Sequence, residues 1–154
     1  MARSYTFIIS ALTGLTAVPF AQLATPATTA IELIRFELGQ ETSETSQQEC
    51  VTLTRRSTAS TLPTSTTPLA LSQRDPASLL TGSTTTNAQG IATVTGTIGN
   101  LLKRWTFNVL NGLLWVPVPE ERITVEPSSF VTWQFATAPA ANTWSGEIVF
   151  RELS

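Results

Sequence analysis

A chain of 154 residues with 13% charged side chains, a net charge of −2 and no histidine lacks most of the groups that carry enzyme chemistry near neutral pH. Such chemistry draws on His, Lys, Cys or paired carboxylates, and this chain holds one lysine (Lys103), one cysteine (Cys50) and one aspartate (Asp75). The charge content is about half the usual share of roughly 25%, the slight acidity leaves no basic footprint for nucleic acid, and a hydrophobic content of 42% suffices for one core in a single domain, residues 1–154.

Met1 to Ala24 has one early arginine, an apolar run from Phe7 to Leu12 and small residues at Ala21 and Ala24, an outline shared with secretory signals. Ser10, Thr13, Gly14 and Thr16 interrupt the run, and Tyr5-Thr6-Phe7-Ile8-Ile9 reads better as part of a first strand, residues 4–10. No stretch approaches the roughly 18 to 20 apolar residues needed to span a bilayer, so no membrane partner is expected. Thr16 to Leu23 reads as a second strand, with Pro19 marking an edge or a bulge, and Pro26 as a turn. In Ile31–Leu38 the even positions Ile34, Phe36 and Leu38 share one face, with Arg35 and Glu37 on the other.

Gln40 to Glu49 is polar and predicts a hairpin loop before a strand over residues 50–56. Cys50, ahead of Val51-Thr52-Leu53-Thr54, reads as a buried structural thiol, since no histidine exists to activate it. A lone cysteine also rules out an internal disulfide and a cysteine zinc site. Arg55 and Arg56 point to opposite faces of an extended segment and read as solvated strand-end residues. Ser57 to Leu80 sets Pro63, Pro68 and Pro76 among Ser and Thr. It predicts a long loop at about 57–80 with a turn at Asp75–Ser78; loops of this length are usually functional or mobile.

Gly82 to Gly90 is polar, and Ile91 to Ile98 alternates. Leu101 to Leu110 is a half-buried strand with Trp105, Phe107 and Val109 in phase, and Asn111-Gly112 is a turn dipeptide. Pro117 and Pro119 make Leu113–Pro119 an edge or a corner. Ile123–Val125 is a short strand, Val131, Trp133 and Phe135 alternate inward, and Pro139–Thr143 turns. Residues 144–153 close the chain, with Ile148 and Phe150 on one face and Val149 on the other. About nine or ten short strands with turns roughly 8 to 12 residues apart predict an all-β fold, an antiparallel two-sheet sandwich of jelly-roll type.

No constellation for chemistry emerges. Glu120 and Glu121 diverge beside a turn, whereas glycosidases hold two carboxyls across a cleft. Glu41, Glu44 and Glu49 lack the spacing of a calcium loop. No glycine-rich phosphate loop precedes a helix, and a Ser–Lys dyad has only Lys103 to use. The expectation is a protein that is not an enzyme, with no catalytic residue, cofactor, metal or small-molecule substrate. A surface poor in charge suits an interface centre, which points to assembly. Trp105 and Trp133 fall in phase with core positions. Trp115 and Trp144 are open to use as interface anchors, or as platforms for sugar rings.

The run Gly112-Leu-Leu-Trp115-Val-Pro117-Val-Pro119-Glu120-Glu121-Arg122-Ile123-Thr-Val125-Glu-Pro127 is followed by a strand, the turn Ala138-Pro139-Ala140-Ala141 and the closing Gly146-Glu-Ile-Val-Phe150-Arg-Glu152-Leu. With a Tyr5-Thr6 opening strand, a Leu38-Gly39-Gln40 strand end and a strand ending in Arg55-Arg56 before a Pro/Thr loop, this order resembles the head decoration, or capsid cement, proteins of tailed bacteriophages. The most specific part is Trp-x-Pro-x-Pro-Glu-x-Arg-Ile, and the 57–80 loop is a departure. The resemblance implies a jelly-roll sandwich that forms a homotrimer on the outer surface of the virion capsid, with the major capsid protein as partner and no catalytic residues to carry over. Subunit or capsid contacts are expected at Tyr5, Trp115, Pro117, Pro119, Arg122 and Trp144. The other reading is a host-attachment or carbohydrate-binding module of a phage tail or fibre.

Overall fold

Tyr5, Phe7 and Ile9 alternate with Thr6, Ile8 and Ser10, so an extended segment here buries one face. In the computed structural model, which describes residues 3–13, 15–42, 46–84, 96–139 and 142–153, that segment is strand β1 (Arg3–Leu12), and the three apolar residues are at most 2% exposed. It is followed by β2 (Pro19–Ala24), β3 (Ala30–Gln40), β4 (Gln48–Arg56), β5 (Thr64–Thr66), β6 (Leu69–Ala70), β7 (Thr81–Thr84), β8 (Ile98–Asn108), β9 (Leu113–Trp115), a 3₁₀ turn (Pro119–Glu121), β10 (Thr124–Val125), β11 (Phe130–Phe135) and β12 (Trp144–Leu153). The alternating strand predicted over 91–98 lies outside the described residues up to 95, and β8 begins at Ile98.

Two antiparallel sheets pack as a sandwich. The first has the order β10-β3-β12-β1-β6, with β9 also on β3; the second has the order β5-β7-β2-β11-β4-β8. The chain changes sheet between β1 and β2, β2 and β3, β3 and β4, β5 and β6, β6 and β7, β8 and β9, β10 and β11, and β11 and β12. The predicted hairpin over residues 40–49 is therefore a crossover: β3 and β4 do not pair. The turn after β8 likewise carries the chain between sheets, through Gly112 at φ +67°, a conformation glycine adopts without steric cost.

Aromatic rings fill the space between the sheets. Phe36 of β3 meets Trp133 of β11 at 5.8 Å, and Trp144 of β12 meets Phe135 at 5.0 Å and Phe107 at 6.2 Å. At Gly82 the sheets come so close that a Cβ would stand 2.2 Å from the ring of Phe7.

Bulges reset the alternation. Val149 pairs with Arg35 and Phe150 with Leu33, leaving Ile34 as the extra residue. Hence Ile31, Leu33, Phe36 and Leu38 are the core residues of β3, and Ile34 is half-buried. An inserted residue shifts side-chain phase by one, which strict period-two reading does not anticipate. Pro19 does sit at a register shift, opposite Gln134.

Residues 57–80 are not one loop. They hold β5 and β6, which end the second and first sheets respectively, with only Thr67-Pro68 between them. One side of the sandwich is thus stitched. Glu152, 3% exposed, holds the next stretch down by accepting hydrogen bonds from Ser78 Oγ (2.6 Å) and Leu79 N (2.9 Å).

Arg56 is not solvated either. It is 2% exposed on the outer face of the second sheet, where it donates to Thr132 Oγ1 (2.8 Å), the Gly96 carbonyl and Gln134 Oε1. Gln22 and Ser60 exchange two further hydrogen bonds beside it, and Gly96 N donates to Ser60 Oγ. Buried guanidinium groups need such partners; Thr132 and Gln134 of β11 and the Gly96 carbonyl supply them, and Ser60 fixes Gly96 in place.

Candidate interaction surface

The side opposite the β5–β6 stitch is built differently. There the second sheet ends in β8 and the first in β9 and β10, with no strand bridging them among the described residues. The gap is filled by side chains. Trp105 of β8 lies 5.5 Å from both Phe36 and Trp115, Leu102 and Ile123 pack against the core, and Arg55 Nη2 donates to the Thr124 carbonyl at 3.1 Å.

Apolar side chains are exposed on both sides of this plug: Ile98 and Leu101 on the outer face of the second sheet, opposite Arg56 and Thr54, Leu114 on the outer face of the first, opposite Glu37, and Val116 and Val118 on the segment that follows, all 57–66% exposed. Sequence parity places Leu101 in phase with Trp105, hence inward. Between the pairs Leu53–Lys103 and Thr54–Leu101 the register slips at Leu102, and Leu101 turns out. Nothing in a single sequence marks that bulge. A second, smaller group of exposed apolar residues (Ile8, Leu69 and Leu71) lies on the stitched side.

Lys103 and Arg104 are exposed on β8 and, as neighbours on a strand, point to opposite faces: Lys103 is opposite Leu53, and Arg104 lies beside Cys50 on the outer face of the second sheet. Glu120 and Glu121 are exposed on the 3₁₀ turn, and Glu126 follows β10. None of the five belongs to an ion pair among the described residues, whereas the outer face of the first sheet carries Arg35–Glu147 and a Glu32 carboxylate shared by Arg122 (3.2 Å) and Arg151.

The predicted contact residues separate into two groups. Trp115, Pro117, Pro119 and Arg122 sit on the one segment that runs along the open side: Trp115 half-buried against Trp105, Pro117 buried, Pro119 exposed, and Arg122 half-buried on Glu32. Tyr5 and Trp144 are fully buried in the core, which corrects their placement at a contact surface. Tyr5 stacks on Phe150 and its hydroxyl donates to the Pro76 carbonyl at 3.3 Å. Burial and the nearby Glu152 carboxylate raise its pKa above the ordinary 10.0, against a smaller opposing effect of Arg3. Both residues share the parity of their core neighbours, Tyr5 with Phe7 and Trp144 with Ile148 and Phe150; that signal was present in the sequence.

The residues considered for chemistry stand apart. Glu120 and Glu121 are solvent-facing, Glu41 is exposed and accepts from Ser145 Oγ, Glu49 is buried, and Glu44 lies outside the described residues. Among the described residues no three His, Cys, Asp or Glu side chains come together as a metal site. Cys50 is half-buried, not buried, and its Sγ receives Arg104 Nε at 3.1 Å. Surface hollows at one end of the first sheet are floored by the backbone of Gly39, Gly112 and Gly146, with Glu37 and Ser145 on their rims. No helix of the described residues is long and apolar enough to cross a membrane.

No family model, no curated protein and no solved structure matches this chain.

Proposed function

We propose that this chain is a virion structural protein, a decoration protein that binds the outer surface of an assembled phage capsid as a homo-oligomer and stabilises it, with the major capsid protein as its partner. The observation that carries the reading is the segment that bears the Trp-x-Pro-x-Pro-Glu-x-Arg-Ile resemblance, along which Leu114, Val116 and Val118 are exposed. Exposed aliphatic side chains gathered on one segment favour a protein contact. The order β1-β12-β3-β10 facing β2-β11-β4-β8 supports a jelly-roll wrap. A ligand that binds only the assembled shell stabilises it by mass action, and a closed ring of protomers adds multivalent grip; the protein then needs no reactive group.

The sugar-platform reading relies on exposed indoles. Trp144 is buried and Trp115 is turned onto Trp105, which favours the decoration reading over it. Rupture of shells under heat or osmotic stress, with and without bound protein, tests the proposal. Shells that withstand higher stress when coated support it, and identical thresholds at saturating coverage sink it.

A further inference from the structure

We infer that the free flank of β1 at Ile8–Ser10, on the stitched side, takes up an extended segment of a different protein, one that alternates aliphatic residues with Lys or Arg and adds to the first sheet as a further strand. This flank is on the side away from the Trp115–Arg122 segment, and the inference does not depend on the decoration reading.

The backbone shows where a partner strand fits. Leu71 N donates to the Ser4 carbonyl, and β6 pairs with β1 only at Tyr5–Ala70 and Thr6–Leu69. Thr67-Pro68, just before Leu69, belongs to the connection from β5 in the other sheet, whereas β1 runs on to Leu12. Main-chain groups of an antiparallel strand alternate in direction. Ile8 therefore shares the orientation of Ser4 and Thr6, and no strand stands against it among the described residues. An unguarded edge of this kind templates strand addition. Lys103 guards the middle of β8, and the β9 edge gives way to Pro117 and Pro119. Ile8–Ser10 carries neither a charge nor a proline, and the bulge between Ile9 and Leu12 ends the free stretch.

The side chains define the occupant. Along the flank lies a hollow of about 310 Å³, lined by Thr6, Ile8, Thr67, Pro68 and Leu69, with Ile8 48% and Leu69 63% exposed. It has room for an aliphatic side chain. Ile8 also borders a second hollow, rimmed by Glu37, Glu41 and Glu147. Glu147 stands across from Ile8, and Glu37 across from Glu147. Like charges directly opposed destabilise a sheet, and Arg35 is the one cation paired with these three carboxylates among the described residues. A Lys or Arg in the added strand lays its alkyl stem on Ile8 and sets its charge at Glu147, which completes the complementarity.

The test uses the full-length chain and an end-capped Val-Lys-Val-Lys-Val-Lys peptide, titrated by calorimetry, with amide hydrogen exchange to locate the peptide and circular dichroism to show that variants fold. Binding is expected to protect the Ile8 amide and to weaken with salt. Ile8→Pro removes that donor, and E37Q/E41Q removes charge from the rim without touching the backbone; each is expected to weaken binding about 10-fold. The same peptide N-methylated at alternate residues, and Val-Glu-Val-Glu-Val-Glu, are expected not to bind. Failure of the lysine peptide to bind, equal binding of the methylated or the glutamate peptide, protection confined to strands other than β1, or an E37Q/E41Q chain that binds as wild type would each overturn the inference. So would self-association through Ile8 in place of peptide binding. Shell rupture is measured separately, so these outcomes and the fate of the decoration reading are read independently.

Discussion

The indole of Trp105 lies against that of Trp115 with ring centroids 5.5 Å apart and planes inclined at 59°. One ring comes from the last strand of the second sheet and the other from β9 at the edge of the first, so the pair adds a side-chain contact between the sheets beside the turn that carries the chain from β8 to β9. Trp115 is half-buried, so Trp115→Ala is expected to cost about 2 kcal/mol, below the ~3–5 kcal/mol typical of a fully buried aromatic. Trp115→Phe retains most of the contact. Urea midpoints measure both; a Trp115→Ala chain as stable as wild type would show that the plug does not hold the edges.

Trp144 carries a liability. It is fully buried, and its indole N–H finds no acceptor among the described residues. A buried donor left unpaired costs about 1–3 kcal/mol. Trp144→Phe removes that donor while keeping a ring against Phe135, and the two effects offset to within about 1 kcal/mol. Trp144→Ala loses the ring as well and is expected to cost about 3–5 kcal/mol. Denaturant unfolding of the two variants checks the difference, and equal losses would show the N–H to be satisfied.

Tyr5 is the chain's one tyrosine, so tyrosinate absorbance reports on it alone. Burial and the Glu152 carboxylate hold its pKa above 10.0 in the folded state. The unfolded chain therefore gives up this proton first as pH rises. The stabilisation is complete below the unfolded value and is lost as pH climbs through the folded one. Titration of the folded protein should show ionisation above pH 10.0, coupled to loss of β-sheet signal. Tyr5→Phe should flatten that alkaline limb. With no histidine in the chain, stability is expected to vary little around neutrality.

Arg56 binds two separate parts of the chain: β11, through Thr132 and Gln134, and the segment at Gly96. Arg56→Ala leaves their buried acceptors without donors and is expected to cost about 3–4 kcal/mol. Arg56→Lys should recover little, because a single ammonium cannot reproduce the guanidinium fork. Limited proteolysis offers a local readout: cleavage within residues 57–60 should accelerate in Arg56→Ala more than cleavage in β3.

The fold class was legible because Tyr5–Ile9, Val131–Phe135 and Ile148–Phe150 alternate with the period of a strand, and burial of one face follows from that period. What lay beyond reach came from insertions and partners. The bulges at Ile34 and Leu102 shift phase without a residue type to announce them. Arg56 looked like a surface charge because its acceptors come from residues up to 78 positions away. Tyr5 and Trp144 depart from expectation for another reason: their parity points inward, but the enrichment of aromatics at interfaces favours contact for Trp144 and the family resemblance favours it for the strand of Tyr5. Leu113–Pro119 reads as an edge or a corner from Pro117 and Pro119, because proline cannot serve a central ladder, and β9 pairs with β3 alone at the edge of the first sheet.

β12 occupies the centre of the first sheet, pairing with β1 through Arg3–Leu12 on one flank and with β3 through Ala30–Gln40 on the other. During synthesis the ribosome therefore releases nearly every other strand before the piece that unites the opening strand with β3 exists. Until Leu153 has emerged, the apolar faces of β1 and β3 stay unpaired along that seam, and nascent chains carry the exposure that invites chaperones.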